Sequence, residues 1–191
     1  MENNPTFTII AGVNGSGKTT FALDYFKNSQ TTFINADLIA TGLSPTNPDV
    51  SQFSAGKLML DKIKQCINNK VDFAVETTLA SKNYLKVIEE LKQGGWEIEL
   101  LYLYLPSVEL SIQRVAERVK NGGHNIATVD IKRRYNRSLN NLINEYIPIV
   151  DGVTLISNQN DNNIILTKNN NKVTVYNQTI YDDMLRYQNV R

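Results

Sequence analysis

The run Gly12-Val13-Asn14-Gly15-Ser16-Gly17-Lys18-Thr19 constrains this chain more than any other stretch, because it fits the G-x-x-x-x-G-K-[ST] spacing of a phosphate-binding P-loop, the Walker A pattern. The apolar, β-branched run Phe7-Thr8-Ile9-Ile10-Ala11 precedes it, and Thr20-Phe21-Ala22-Leu23-Asp24-Tyr25-Phe26 reads as a helix after it. Strand, glycine-rich turn and helix in that order predict backbone N–H groups curled inward, with the positive end of a helix dipole at the same spot. A nucleotide's phosphates are expected against Gly12, Asn14, Gly15, Ser16, Gly17, Lys18, Thr19 and Thr20. Lys18 has the reach for β- and γ-phosphates, and the Thr19 hydroxyl can ligate the Mg²⁺ that accompanies them.

A length of 191 residues fits one domain with a full core, or one domain with a small appendage. With net charge +1, no global basic field supports generic nucleic-acid binding. The single Cys66 can form no internal disulfide, and the N-terminus carries neither a basic n-region nor an apolar h-region. A cytoplasmic protein with no membrane span is the expectation.

Two further strands deliver acids to their carboxyl ends, where ligands sit in parallel α/β sheets. The first, Thr31-Thr32-Phe33-Ile34-Asn35, leads to Asp37, which is either a reactive carboxylate or a solvated turn residue. Residues 38–48 read as a turn-rich connection, and residues 48–68 as a helix with Phe53, Leu60, Ile63 and Ile67 close to one face. The second strand, Val71-Asp72-Phe73-Ala74-Val75-Glu76, ends in Glu76-Thr77-Thr78. Glu76 could hold Mg²⁺ or substrate hydroxyls, or cap the next helix near Ser81. An amphipathic helix over residues 81–94 stops at Gly94-Gly95, and the strand Trp96 to Leu105 follows, apolar enough in its later half to be covered on both faces.

Helices over residues 107–120 and from about 128 carry Arg114, Arg118, Arg133, Arg134 and Arg137, hinged at Asn121-Gly122-Gly123-His124-Asn125. They resemble a lid folding over phosphates, which suits phosphoryl transfer because that reaction is catalysed mainly by positioning and charge neutralisation. Spacing alone does not sort the arginines, and His124 could touch phosphate or sit exposed. A fifth strand, Gly152 to Ser157, precedes an asparagine-rich stretch, a β-hairpin (Ile164-Ile165-Leu166-Thr167 with Val173-Thr174-Val175-Tyr176) and a short helix over residues 180–187.

The expected fold is therefore α/β: a P-loop NTPase/kinase fold whose five-stranded, mainly parallel sheet is sandwiched by helices, with a C-terminal β-hairpin and short helix. Residues 1–158 would form the kinase domain, with its lid at about 114–137, and residues 159–191 an appendage that is not an independent domain. The acid after the second strand and the arginine-rich hinge favour a small-molecule kinase, and no guanine-reading N-K-x-D segment is present.

Together, Gly12 to Thr19, Asn35-Ala36-Asp37-Leu38-Ile39-Ala40 with Gly42-Leu43-Ser44-Pro45, Glu76-Thr77-Thr78, and Arg114-Val115-Ala116-Glu117-Arg118 leading through Gly122-Gly123-His124 to Arg133-Arg134-Tyr135 resemble the zeta-toxin family of P-loop kinases. The resemblance implies ATP with Mg²⁺, a hydroxyl of UDP-N-acetylglucosamine as phosphate acceptor, and a small antitoxin as partner. It further implies Lys18 on the phosphates, Asp37 as base, Glu76 and Thr78 near the acceptor, and Arg118 with Arg133 or Arg134 on the transferring group. A nucleotide or nucleic-acid-end kinase, and a non-catalytic ATP-binding module with a protein partner, are the other readings. Net charge near zero and a lid without aromatic stacking residues disfavour nucleic acid.

Overall fold

Five parallel strands form the frame of the molecule: β1 (Thr6–Gly12), β2 (Thr32–Ile34), β3 (Phe73–Thr77), β4 (Glu97–Tyr104) and β5 (Gly152–Asn158), in the spatial order β2-β3-β1-β4-β5. The computed structural model describes residues 4–123, 125–159 and 162–189. β6 (Asn162–Asn169) and β7 (Lys172–Val175) continue the same sheet antiparallel, making it seven-stranded. The hairpin thus adds to the edge of β5, and this is why the sheet is wider than the five strands expected.

Both faces of the sheet are covered. On one, Phe7, Ile9, Phe73, Val75, Leu100, Tyr102 and Leu155 pack against α3 (Gln52–Asn68), α4 (Asn83–Gln93), α6 (Thr128–Asn141) and α7 (Gln178–Leu185). On the other, Ile10, Leu101 and Leu103 pack against Ala22 of α1 (Lys18–Tyr25). A strand in that position must be apolar on both sides, and the later half of β4 is. Its tyrosines are packing residues. Tyr102 is fully buried with its hydroxyl 2.8 Å from Ser138 Oγ, and burial pushes the phenol well above its ordinary range.

Two local expectations are corrected. The segment after β2 is not a turn-rich connection but begins with α2 (Ala36–Leu43), because Asn35 caps it: its Oδ1 accepts from Leu38 N at 3.0 Å. After a 3-10 turn at Pro48–Ser51, α3 buries Ala55, Ile63 and Cys66, whereas Phe53 and Leu60 are 89% and 60% exposed. Helical spacing groups the apolar residues of α3 without saying which stripe meets the sheet. Ile63 and Cys66 lie nearer that contact.

Candidate active site

All five parallel strands end on one edge, so β1, β2 and β3 bring their carboxyl ends together where α1 and α2 begin. A cleft of 470 Å³ opens there, lined by Asn14, Gly15, Lys18, Thr19, Asn35, Asp37, Glu76, Thr78, Arg118 and Arg134, together with Gln52, Asn125 and Asp130. The loop between β1 and α1 lies at its base. Gly12 has φ 146°, and a Cβ there would collide with the backbone oxygen of Leu103 and approach Ser16 Oγ to 2.7 Å, so only glycine fits. Gly17, the residue before α1, supplies no side-chain cap. The first N–H groups of that helix have no side-chain cap, and Lys18 and Thr19 of its first turn line the cleft.

Glu76 organises the polar contacts. Its Oε2 accepts from Thr19 Oγ1 at 2.7 Å and from Asn35 Nδ2 at 2.5 Å, while Oε1 lies 3.9 Å from Lys18 Nζ. It therefore does not cap the helix near Ser81. Lys18 is buried and donates to Val13 O at 3.0 Å. Burial holds its ammonium below the ordinary lysine range and Arg118 adds to that, against the pull of Glu76 and Asp37. Asn14 Oδ1 and Ser16 Oγ are buried with no hydrogen-bond partner.

Mg²⁺ suits these residues by the chemistry of the donors. Thr19 Oγ1 and Glu76 Oε2 are hard oxygens already within hydrogen-bond distance of each other. Among the described residues no group of three or more His, Cys, Asp or Glu could hold a metal.

The structure sorts the arginines that spacing left unsorted. Arg118 and Arg134 line the cleft. Arg114 lines an adjoining recess of 230 Å³ beside Gly15, Gly17 and Lys18, but its Nη2 donates to Asn158 O at 2.8 Å. Arg133 is paired with Asp130 at 2.7 Å, and that bond holds the Asp130 carboxyl below its ordinary range. Arg133 is not among the residues that line the cleft. His124 lies outside the described residues. Thr20 borders the recess, and Asp37 sits in the first turn of α2, where the helix dipole favours a carboxylate. Sequence reasoning assigned nothing to Asn35, Gln52, Asn125 or Asp130. Asn35 had a usable signal, a cap residue followed by an acid in the first turn.

The turn that carries Thr78 is held in an uncommon conformation. Leu79 has φ 55°, is fully buried, and its carbonyl accepts from Asn141 Nδ2 at 2.7 Å while its N–H donates to Thr77 Oγ1 at 3.1 Å.

Residues 1–180 match the zeta-toxin family. The chain belongs to the zeta-toxin family. An uncharacterised protein of Haemophilus influenzae is 31% identical over 135 residues, which is 71% of this chain and 94% of that one. Among solved structures, this zeta-toxin family chain is similar to the AvrRxo1-ORF1:AvrRxo1-ORF2 complex with sulphate ions (TM-score 0.74, 16% identity), with 98% of this chain and 65% of that chain covered. It is similar also to the PezAT chromosomal toxin-antitoxin system of Streptococcus pneumoniae (TM-score 0.65, 17% identity), where the shares are 98% and 79%. A gluconokinase from Sinorhizobium meliloti shares the fold at TM-score 0.51 and 13% identity, over 97% of this chain and 91% of that one. The chain spans about two thirds of the length of the AvrRxo1-ORF1:AvrRxo1-ORF2 match. No described helix is long and apolar enough to cross a membrane.

Proposed function

We propose that the chain is an ATP-dependent phosphotransferase that moves the γ-phosphoryl group to a hydroxyl of a small-molecule acceptor, with UDP-N-acetylglucosamine as the first acceptor to test. The observation that carries this reading is the convergence of Lys18, Thr19, Asp37, Glu76, Arg118 and Arg134 on one cleft. Asp37 takes the proton of the acceptor hydroxyl as its oxygen bonds to phosphorus and the bond to the β-phosphate oxygen breaks, releasing ADP. Lys18, Arg118 and Arg134 neutralise charge on the transferring group, while Glu76 and Thr78 border the acceptor. Thr19 and Glu76 would hold Mg²⁺, whose chemistry is to neutralise the developing phosphate charge.

A solved neighbour carries ATP in an AvrRxo1-ORF1:-ORF2 complex, which supports the choice of nucleotide. That two of the similar structures come from toxin-antitoxin or two-protein complexes supports an antitoxin as partner. The test incubates the purified protein with Mg²⁺-ATP and UDP-N-acetylglucosamine, measuring ADP and the phosphorylated sugar by mass spectrometry. Acceptor-dependent ADP is expected, with Asp37→Asn lowering kcat on the order of 10²–10⁴-fold and leaving the KM for ATP nearly unchanged. Full turnover in Asp37→Asn would remove the proposed base. An unmodified sugar alongside a phosphorylated species from a metabolite extract would replace the acceptor but keep the reaction.

A further inference from the structure

A P-loop grips phosphate through inward N–H groups, and in a trans peptide the carbonyl points opposite to the N–H of the next residue. Holding Asn14 O outward therefore aims Gly15 N–H inward, and holding Ser16 O outward does the same for Gly17 N–H. The chain has no cis peptide among its described residues. Both carbonyls have donors from far along the sequence. Ser111 Oγ, fully buried on α5 (Val108–Lys120), donates to Asn14 O at 2.5 Å. Asn158 Nδ2, at the end of β5, donates to Ser16 O at 2.6 Å. One turn after Ser111, Arg114 donates to the carbonyls of Asn158 at 2.8 Å and Gln159 at 3.3 Å, tying α5 to the strand end that holds the loop. The contacts are close. A Cβ on Gly17, whose φ is 82°, would lie 2.7 Å from Asn158 Nδ2, and one on Gly15 would lie 3.0 Å from Ser111 O.

We infer that Ser111 and Asn158, the latter braced by Arg114, are positioning residues for the nucleotide: Ser111 and Asn158 hold two P-loop carbonyls outward and so aim the Gly15 and Gly17 amides at phosphate. The inference rests on the nucleotide-binding reading of the preceding section. It also gives Arg114 a role apart from Arg118, since its guanidinium is engaged with backbone while Arg118, four residues on, reaches the cleft. When Asn158 is truncated, the Ser16–Gly17 peptide loses the bond that fixes its orientation and the N–H leaves the phosphate.

Calorimetric titration of ATP and, separately, adenosine into the full chain tests this, with wild type, Ser111→Ala and Asn158→Ala compared. Each variant is expected to weaken ATP roughly tenfold, the loss of one oriented hydrogen bond to a charged group, and to leave adenosine unchanged. Partial unfolding would lower the number of binding sites without changing Kd, so it is separable from loss of aim. Asn158→Asp, which keeps the size but sets a carboxylate against Ser16 O, is expected to weaken ATP more than Asn158→Ala does. Wild type that binds ATP while both alanine variants keep its Kd, or variants that lose adenosine equally, would overturn the positioning role alone. Wild type with no affinity for ATP would overturn the reading beneath it.

Discussion

Lys18 is held in two opposed environments. Burial disfavours its ammonium, and the Glu76 and Asp37 carboxylates favour it, with the balance below the ordinary lysine range. A bound triphosphate adds negative charge and raises the pKa again. Below the lowered pKa the side chain is charged with or without ligand, so binding there is insensitive to pH. Above it, the free protein has lost the proton and binding must take one up. ATP affinity is therefore expected to fall as pH rises through the lowered pKa, before the ordinary lysine value near 10.4 is reached. Calorimetry in two alkaline buffers of different ionisation enthalpy would register the proton uptake, and a pH-independent Kd up to that value would contradict the assignment. Lys18→Ala is expected to cost on the order of 10²–10³-fold in turnover, because the proposed reaction then loses a principal charge on the transferring group.

At the scale of elements, α2, α5 and α6 decide which side chains reach the cleft. Asn35 both caps α2 and donates to Glu76, so Asn35→Ala removes two bonds at once. A loss of about 0.5–2 kcal/mol in denaturant unfolding is expected for the cap alone, together with lower kcat because Asp37 sits in the turn that the cap organises. On α6, adjacent arginines have opposite fates. Arg134 lines the cleft, and Arg133, which does not, is paired with Asp130. Arg134→Ala should lower kcat/KM by one or more orders of magnitude, as loss of a charge on the phosphoryl group requires, while Arg133→Ala should stay within a few-fold of wild type. Steady-state kinetics on the two variants checks this, and equal losses would mean that the pair, not Arg134, serves the site.

Across the whole molecule, the sheet that gathers the site also carries a destabilising carboxylate. Burial, with Glu97 and Asp151 nearby, holds Glu99 on β4 above the ordinary glutamate range. The folded state then keeps this proton more tightly than the unfolded chain. That contribution favours folding below the ordinary pKa and is lost as pH rises through the raised one. Glu99→Gln should raise Tm at pH 7 and change it little near pH 3, as followed by thermal unfolding at both. A lower Tm at pH 7 would show that the ionised carboxylate is stabilising. The sheet order also explains how much could be read beforehand. The P-loop, the strand periods and the acids at strand ends depend on residues a few positions apart, so the amino-acid sequence by itself determined the α/β fold, the P-loop spacing between β1 and α1, and the candidates Lys18, Thr19, Asp37 and Glu76. It did not distinguish Arg134 from Arg133, the buried stripe of α3 from the exposed one, or the hairpin as an appendage from the hairpin as the edge of the same sheet. Those were decided in the tertiary structure, where Glu76 meets Thr19 across 57 residues and Asn158 meets Ser16 across 142. The partner of a polar group is fixed by which strands lie side by side, and no local pattern encodes that order.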